Sequence, residues 1–216
     1  VYEGTVVNGT DTARVTILAL DNDDLWVAYG AGSGALTTLE GFVLVNGRSG
    51  DGSYSSTGYY DISTDEDQVR TGTVLATYVP RASVNAEFRA TGEQGVGYVT
   101  ATALPTTRHD HDHPASLTAI AGSWPYQGSG TSGTLTITTT GGLTGRFEAC
   151  DMTGTLTPRP GGKNVFSLSV AMTGGSCNFS GTGVAYATIS TTGGAQLWLG
   201  FMNTARNDGG FLLGQR

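Results

Sequence analysis

The sequence predicts an all-β fold: two antiparallel up-and-down β-barrels, or barrel-like sandwiches, of about eight strands each. Three observations carry this. First, threonine and 34 glycines dominate the 216 residues, prolines number only six, and β-branched and aromatic residues recur at short intervals. Such a composition suits many short strands with tight turns and differs from that of a disordered chain. Second, apolar and polar residues alternate with period two, and nothing longer than Ala115–Ile120 reads as helical. Third, the pattern runs twice, with the restart marked by Arg108-His109-Asp110-His111-Asp112-His113-Pro114.

In the first half, Val1–Val7 reads as a strand that turns at Asn8-Gly9 into Ala13–Leu20. Asp21-Asn22-Asp23-Asp24 is a turn, and Leu25–Tyr29 returns. After the loop Ala31-Gly32-Ser33-Gly34, Thr38–Asn46 is apolar enough to be buried on both faces, and Asn46-Gly47 is expected to end it. Gly52–Tyr60 is a wall or edge strand, and Ile62–Gln68 an acidic loop. Thr71–Val79, Ser83–Ala90 and Val96–Ala103 complete the half.

In the second half, Ile120–Gln127 holds Trp124, and Thr131–Thr139 sets Leu135 and Ile137 opposite a row of threonines. Leu143–Glu148, Met152–Thr157 and Val165–Thr173 follow; the last of these puts Phe166, Leu168, Val170 and Met172 on one face. Gly181–Ile189, Gln196–Met202 and Gly209–Gln215 finish the chain. Hairpin-length turns make sequential strands antiparallel neighbours, and closure into barrels removes exposed edges. The expected organisation is residues 1–105, a His/Asp linker at 106–114, and residues 115–216.

Composition excludes several function classes. The net charge is −7, with one lysine, Lys163, and ten scattered arginines. Nucleic acid is not an expected partner, because phosphate-backbone binding needs a basic footprint. No apolar run approaches the ~20 residues of a membrane-spanning helix. The two cysteines, Cys150 and Cys177, in a chain low in lysine and rich in threonine and glycine, are expected to form a disulfide in an exported protein. No signal peptide is seen, so a mature or trimmed form is expected.

Gly122-Ser123-Trp124, Tyr126-Gln127-Gly128, Leu135-Thr136-Ile137 and Leu143-Thr144-Gly145 resemble the opening strands of the avidin and streptavidin barrels, and Gln196-Leu197-Trp198-Leu199 resembles their late tryptophan strand. That resemblance implies an eight-stranded up-and-down barrel. It does not bring biotin binding with it: Phe147 stands where that family has tyrosine, and Val165–Met172 lacks its tryptophan motif. A second resemblance rests on Cys150, Gly154-Thr155-Leu156-Thr157-Pro158-Arg159, Lys163-Asn164-Val165-Phe166, Cys177, Gly181–Tyr186 and the closing Gln215-Arg216. These are similar to uncharacterised exported proteins and lipoproteins of Gram-negative bacteria, which implies an envelope or extracellular location.

The candidate sites are few. If their segment is extended, His109, His111 and His113 share one face, where neutral imidazoles would ligate Cu²⁺, Ni²⁺ or Zn²⁺ with Asp110 or Asp112 in support. The plainer reading is a solvated linker. Asp21–Asp24 lacks the full calcium-loop pattern and reads as an Asx turn. Asp61, Asp65, Glu66 and Asp67 read as a solvated acidic loop.

No catalytic residue is expected. The histidines sit in one segment away from any Gly-x-Ser-x-Gly elbow, and bonded cysteines offer no thiolate. Glu40, Glu87, Glu93 and Glu148 are candidates for paired carboxylates, but each reads more simply as a strand-end surface residue. Trp26, Tyr29, Tyr54, Tyr59, Tyr60, Trp124, Tyr126 and Trp198 could line a barrel mouth or a binding face, or pack as core.

The expected function is therefore non-enzymatic: a bacterial surface or secreted protein that acts by binding or adhesion to a protein or glycan. One alternative is a self-associating subunit of an extracellular fibre or surface layer. The other is a carrier that holds a small ligand in a barrel cavity or a metal at the histidine linker. Whether each barrel is filled or hollow discriminates most strongly among these.

Overall fold

The computed structural model describes residues 1–33, 36–64, 68–128 and 131–216. The first unit contains β1 (Tyr2–Asn8), β2 (Asp11–Ala19), β3 (Leu25–Ala31), β4 (Thr38–Gly50), β5 (Ser53–Ser63), β6 (Arg70–Val79), β7 (Ser83–Ala90) and β8 (Gly97–Ala103). The second contains α1 (Leu117–Ile120), β9 (Gly122–Gly128), β10 (Thr131–Ile137), β11 (Gly142–Phe147), β12 (Cys150–Pro158), β13 (Phe166–Thr173), β14 (Phe179–Ile189), β15 (Ala195–Met202) and β16 (Gly209–Gln215).

Each set of eight strands forms a closed antiparallel barrel in which every strand pairs with its sequence neighbours. The first closes along β1 and β8, from Tyr2 opposite Ala103 to Asn8 opposite Gly97. The second closes along β16 and β9, with Leu213 opposite Gln127 and Gly214 opposite Tyr126. The chain divides between Leu104 and Pro105.

Two turn expectations change. Asn46-Gly47 does not end a strand. The register slips there, and β4 continues to Gly50. The extra residue is Thr57 of β5, and Gly47 serves a continuous strand instead of a turn. The reason is steric: a Cβ on Gly47 would lie 2.3 Å from the Tyr54 ring, so the missing side chain is the space that ring fills. The hairpin is made four residues later by Asp51-Gly52, both at positive φ (51° and 75°), as a tight turn between right-twisted strands demands. The expected acidic loop also begins late, because β5 runs on to Ser63. Gly34, Asp65, Glu66 and Asp67 lie outside the described residues. Among those described, no helix is long and apolar enough to cross a membrane.

The two interiors differ. In the second barrel one continuous cluster includes Trp124, Phe147, Phe166, Leu168, Met172 and Phe201, each 8% exposed or less. Among the described residues, the clusters of the first are smaller and include one around Val43, Val45, Tyr59 and Val74 and another around Val15, Ile17 and Ala101. As expected, β4 is buried on both faces, from Phe42 through Val45.

Candidate functional site

An eight-stranded barrel has an interior just wide enough for side chains to fill, so the size of the inward residues decides whether it is solid or hollow. In the first barrel the inward positions are mostly short. Val15, Val27, Val43, Val45, Val74 and Val99 face the interior, and Ala13, Ala76 and Ala86 shorten the wall further. These residues leave a cavity of about 220 Å³. The second barrel fills its core with tryptophan, phenylalanine, leucine and methionine. Left empty, a void of this size would forgo roughly 5 kcal/mol of packing at about 24 cal/mol per Å³.

The polar part of the lining lies at the end that carries the β1–β2 and β5–β6 turns. Asp61 of β5 points inward and is 4% exposed. One carboxylate oxygen accepts a hydrogen bond from the Tyr29 hydroxyl at 2.9 Å. The other accepts from Arg70 at 2.7 Å and from the Tyr59 hydroxyl at 3.4 Å. Arg70 also reaches Glu93 at 3.3 Å, on the solvent side. A buried carboxylate needs such partners, since an unpaired one is strongly disfavoured in low dielectric. Burial, with the Asp61 charge beside them, pushes both tyrosine hydroxyls well above their usual range, so Tyr29 and Tyr59 stay protonated donors to Asp61.

Two backbone features shape this end. A Cβ on Gly41 would lie 2.3 Å from the Tyr29 hydroxyl oxygen, so glycine is what lets that ring lie across β4. Beside it the β3–β4 register slips between Tyr29 and Gly30: Tyr29 opposes Gly41, and Gly30 opposes Leu39. Glu40 is the extra residue of this bulge. Strict alternation from Val43 and Val45 would turn it outward, but it lines the cavity, and bulges redirect side chains in this way. Asn8 and Asp11, register partners at the β1–β2 turn, complete the rim.

The other sequence candidates are dispersed. Residues 106–114, expected as a linker, bond to the second barrel: Ile189 N–H donates to the Arg108 carbonyl, and Asn164 N–H to that of His111. The segment forms turns and is not extended, with His109 N–H bonded to the Pro105 carbonyl and His113 N–H to that of Asp110. The one-face arrangement of three histidines therefore does not form. His113 is exposed, whereas His109 is buried. The His109 ring nitrogen Nδ1 lies 2.8 Å from the Ala187 carbonyl, and its ring stands 5.9 Å from that of His111. Among the described residues, no group of three or more His, Cys, Asp or Glu side chains is placed to hold a metal ion.

Burial lowers His109 from 6.5 to about 4, and the carbonyl bond only partly opposes this. The fold thus favours the neutral ring. Its contribution to stability is complete above about pH 6.5 and is lost as pH falls towards 4. The denaturation midpoint of the second unit is expected to fall across that window in urea titrations. His109→Asn, whose amide can still reach the Ala187 carbonyl, is expected to flatten the slope; an unchanged slope would assign it to other groups.

Asp23 and Asp24 are satisfied within the protein. Asn46 donates to Asp24, as does Asn22 at 2.8 Å, while Ser49 donates to Asp23. Glu40, Glu87, Glu93 and Glu148 are all exposed.

Sequence reasoning offers a barrel cavity as one alternative but does not locate it, and it misses the polar group. Asp61 reads as part of a solvated loop, yet among the described residues it is the most buried carboxylate of the first barrel. The available signal was the spacing of Tyr59 and Asp61, two apart on one strand face.

No family model matches the chain, and neither does any curated protein. One solved structure matches over 100% of this chain and 96% of its own, at 12% identity and a TM-score of 0.32: a protein of Bacteroides fragilis described as a "putative outer membrane protein". At that TM-score the likeness carries no argument about this chain.

Proposed function

We propose that the protein is a non-enzymatic, extracytoplasmic binding protein whose first barrel holds a small, largely apolar ligand, while the second is a filled, disulfide-closed barrel. The carrying observation is the contrast between interiors of equal strand number, one hollow and one solid. The room exceeds the about 150 Å³ of an engineered apolar cavity that takes up benzene. The export reading is supported by the Cys150–Cys177 bond, since such bonds persist in oxidising compartments. Both barrels close with their own first and last strands, so a fibre built by strand donation finds no vacant strand position in either.

Methyl-resolved NMR of the full chain with benzyl alcohol tests the cavity. The methyls of Val15, Val27, Val43, Val45, Val74 and Val99 are expected to shift saturably at millimolar probe, with the interior of the second barrel unmoved. Ala86→Phe, which grows into the cavity, is expected to abolish the shifts. Absence of any saturable shift in the unsubstituted protein would overturn the reading.

A second reading, adhesion to a protein or glycan, is supported by the outer wall of the same barrel. Leu75 and Tyr98 flank Glu87 in register across β6, β7 and β8, and they are 61% and 53% exposed.

A further inference from the structure

We infer that the ligand of the first barrel is a small cationic amphiphile: an apolar body that carries a protonated amine held at the Asp11–Glu40 rim. This rests on the cavity being a binding site, and it names the chemistry of the occupant.

The apolar body follows from the valine and alanine walls. The amine follows from the donors and acceptors at the polar end. Among the described residues Arg70 is the only cation in the lining, and its guanidinium is committed to Asp61 and Glu93. The Tyr29 and Tyr59 hydroxyl protons are committed to Asp61. The tyrosines therefore offer the cavity oxygen lone pairs and ring faces, and both attract a cation. With Asp61 balanced by Arg70, the remaining charges of the lining among the described residues are the carboxylates of Asp11 and Glu40, both at the exposed rim.

Glu40 is the decisive member. Its carboxylate would face outward in a regular strand and reaches the mouth only because β4 carries an extra residue at that point. A negative mouth above an apolar pocket repels carboxylates and phosphates and favours an ammonium group. Its head can stay partly hydrated at the rim, so little desolvation opposes the attraction.

Three probes of nearly equal shape separate the outcomes: benzylamine, benzyl alcohol and benzoate, titrated at neutral pH against the full chain by methyl NMR. Benzylamine is expected to bind about tenfold tighter than benzyl alcohol, roughly what two rim charges supply after solvent screening. Benzoate is expected to bind weakest. Glu40→Gln with Asp11→Asn, both at exposed positions, is expected to bring benzylamine within about twofold of benzyl alcohol. Equal binding of all three would overturn the cationic assignment and leave the cavity reading intact. Preference for benzoate would overturn it in favour of Arg70 as the anchor. No binding by any probe would overturn the cavity reading itself.

Discussion

Trp124→Ala is expected to destabilise the second barrel by about 4 kcal/mol, the upper part of the range for emptying a packed core position. Trp124 is 1% exposed and does three things. It fills the interior beside Leu135 and Leu197. Its indole N–H donates to the Ile120 carbonyl at 2.7 Å, which ties α1 to β9. Its ring also carries the Arg216 guanidinium at 4.0 Å. Arg216 in turn donates to the Ala119 and Ala121 carbonyls, both at 2.9 Å, so the ring and the cation brace one corner of the barrel from two sides. Urea unfolding of the full chain, read on the transition of the second unit, measures the cost. A loss below about 1.5 kcal/mol would mean that the interior relaxes around the gap and is not solid.

Removing the Cys150–Cys177 bond is expected to cost the same unit about 3.5 kcal/mol in the chain-entropy account of cross-links. The bond joins the start of β12 to the β13–β14 connection across a sequence separation of 27. The Cα atoms are 5.7 Å apart, the usual span of a bridge. The double substitution Cys150→Ser, Cys177→Ser and the unsubstituted chain under reductant should lose similar amounts, with the first unit's transition unmoved. A double variant as stable as the parent would show that the strands hold this corner without the bond.

The barrels were legible in the sequence because their determinants are local. Period-two alternation placed Leu135 with Ile137, and Phe166 with Leu168, Val170 and Met172, on inward faces. The cavity was not legible in the same way. A valine-rich strand reads alike whether the space beyond its methyls is filled or empty, and that depends on seven other strands. Glu40 and Gly47 show a second limit. Both sit at register slips, Glu40 as the extra residue of β4 and Gly47 opposite the extra Thr57 of β5, and one extra residue changes which way the following side chains point. The histidine run misled through composition. His-Asp-His-Asp-His looks like a solvated tract, yet its backbone bonds to β14 and to the segment before β13 fold it into turns.

The closing seam of the first barrel also bears on what the chain's starting point means there. Tyr2 and Ala103 are register partners, so the strand that opens the unit and the strand that ends it lie side by side. The connectivity of the eight strands is a ring with one link left out. No hairpin in that ring is privileged by the hydrogen-bond pattern, and cyclic reordering of the strands would preserve every pairing and every inward residue. What distinguishes one end of the ring from the other is chemistry: the end with Asn8, Asp11, Glu40 and Arg70 has a polarity that no permutation of the order can move.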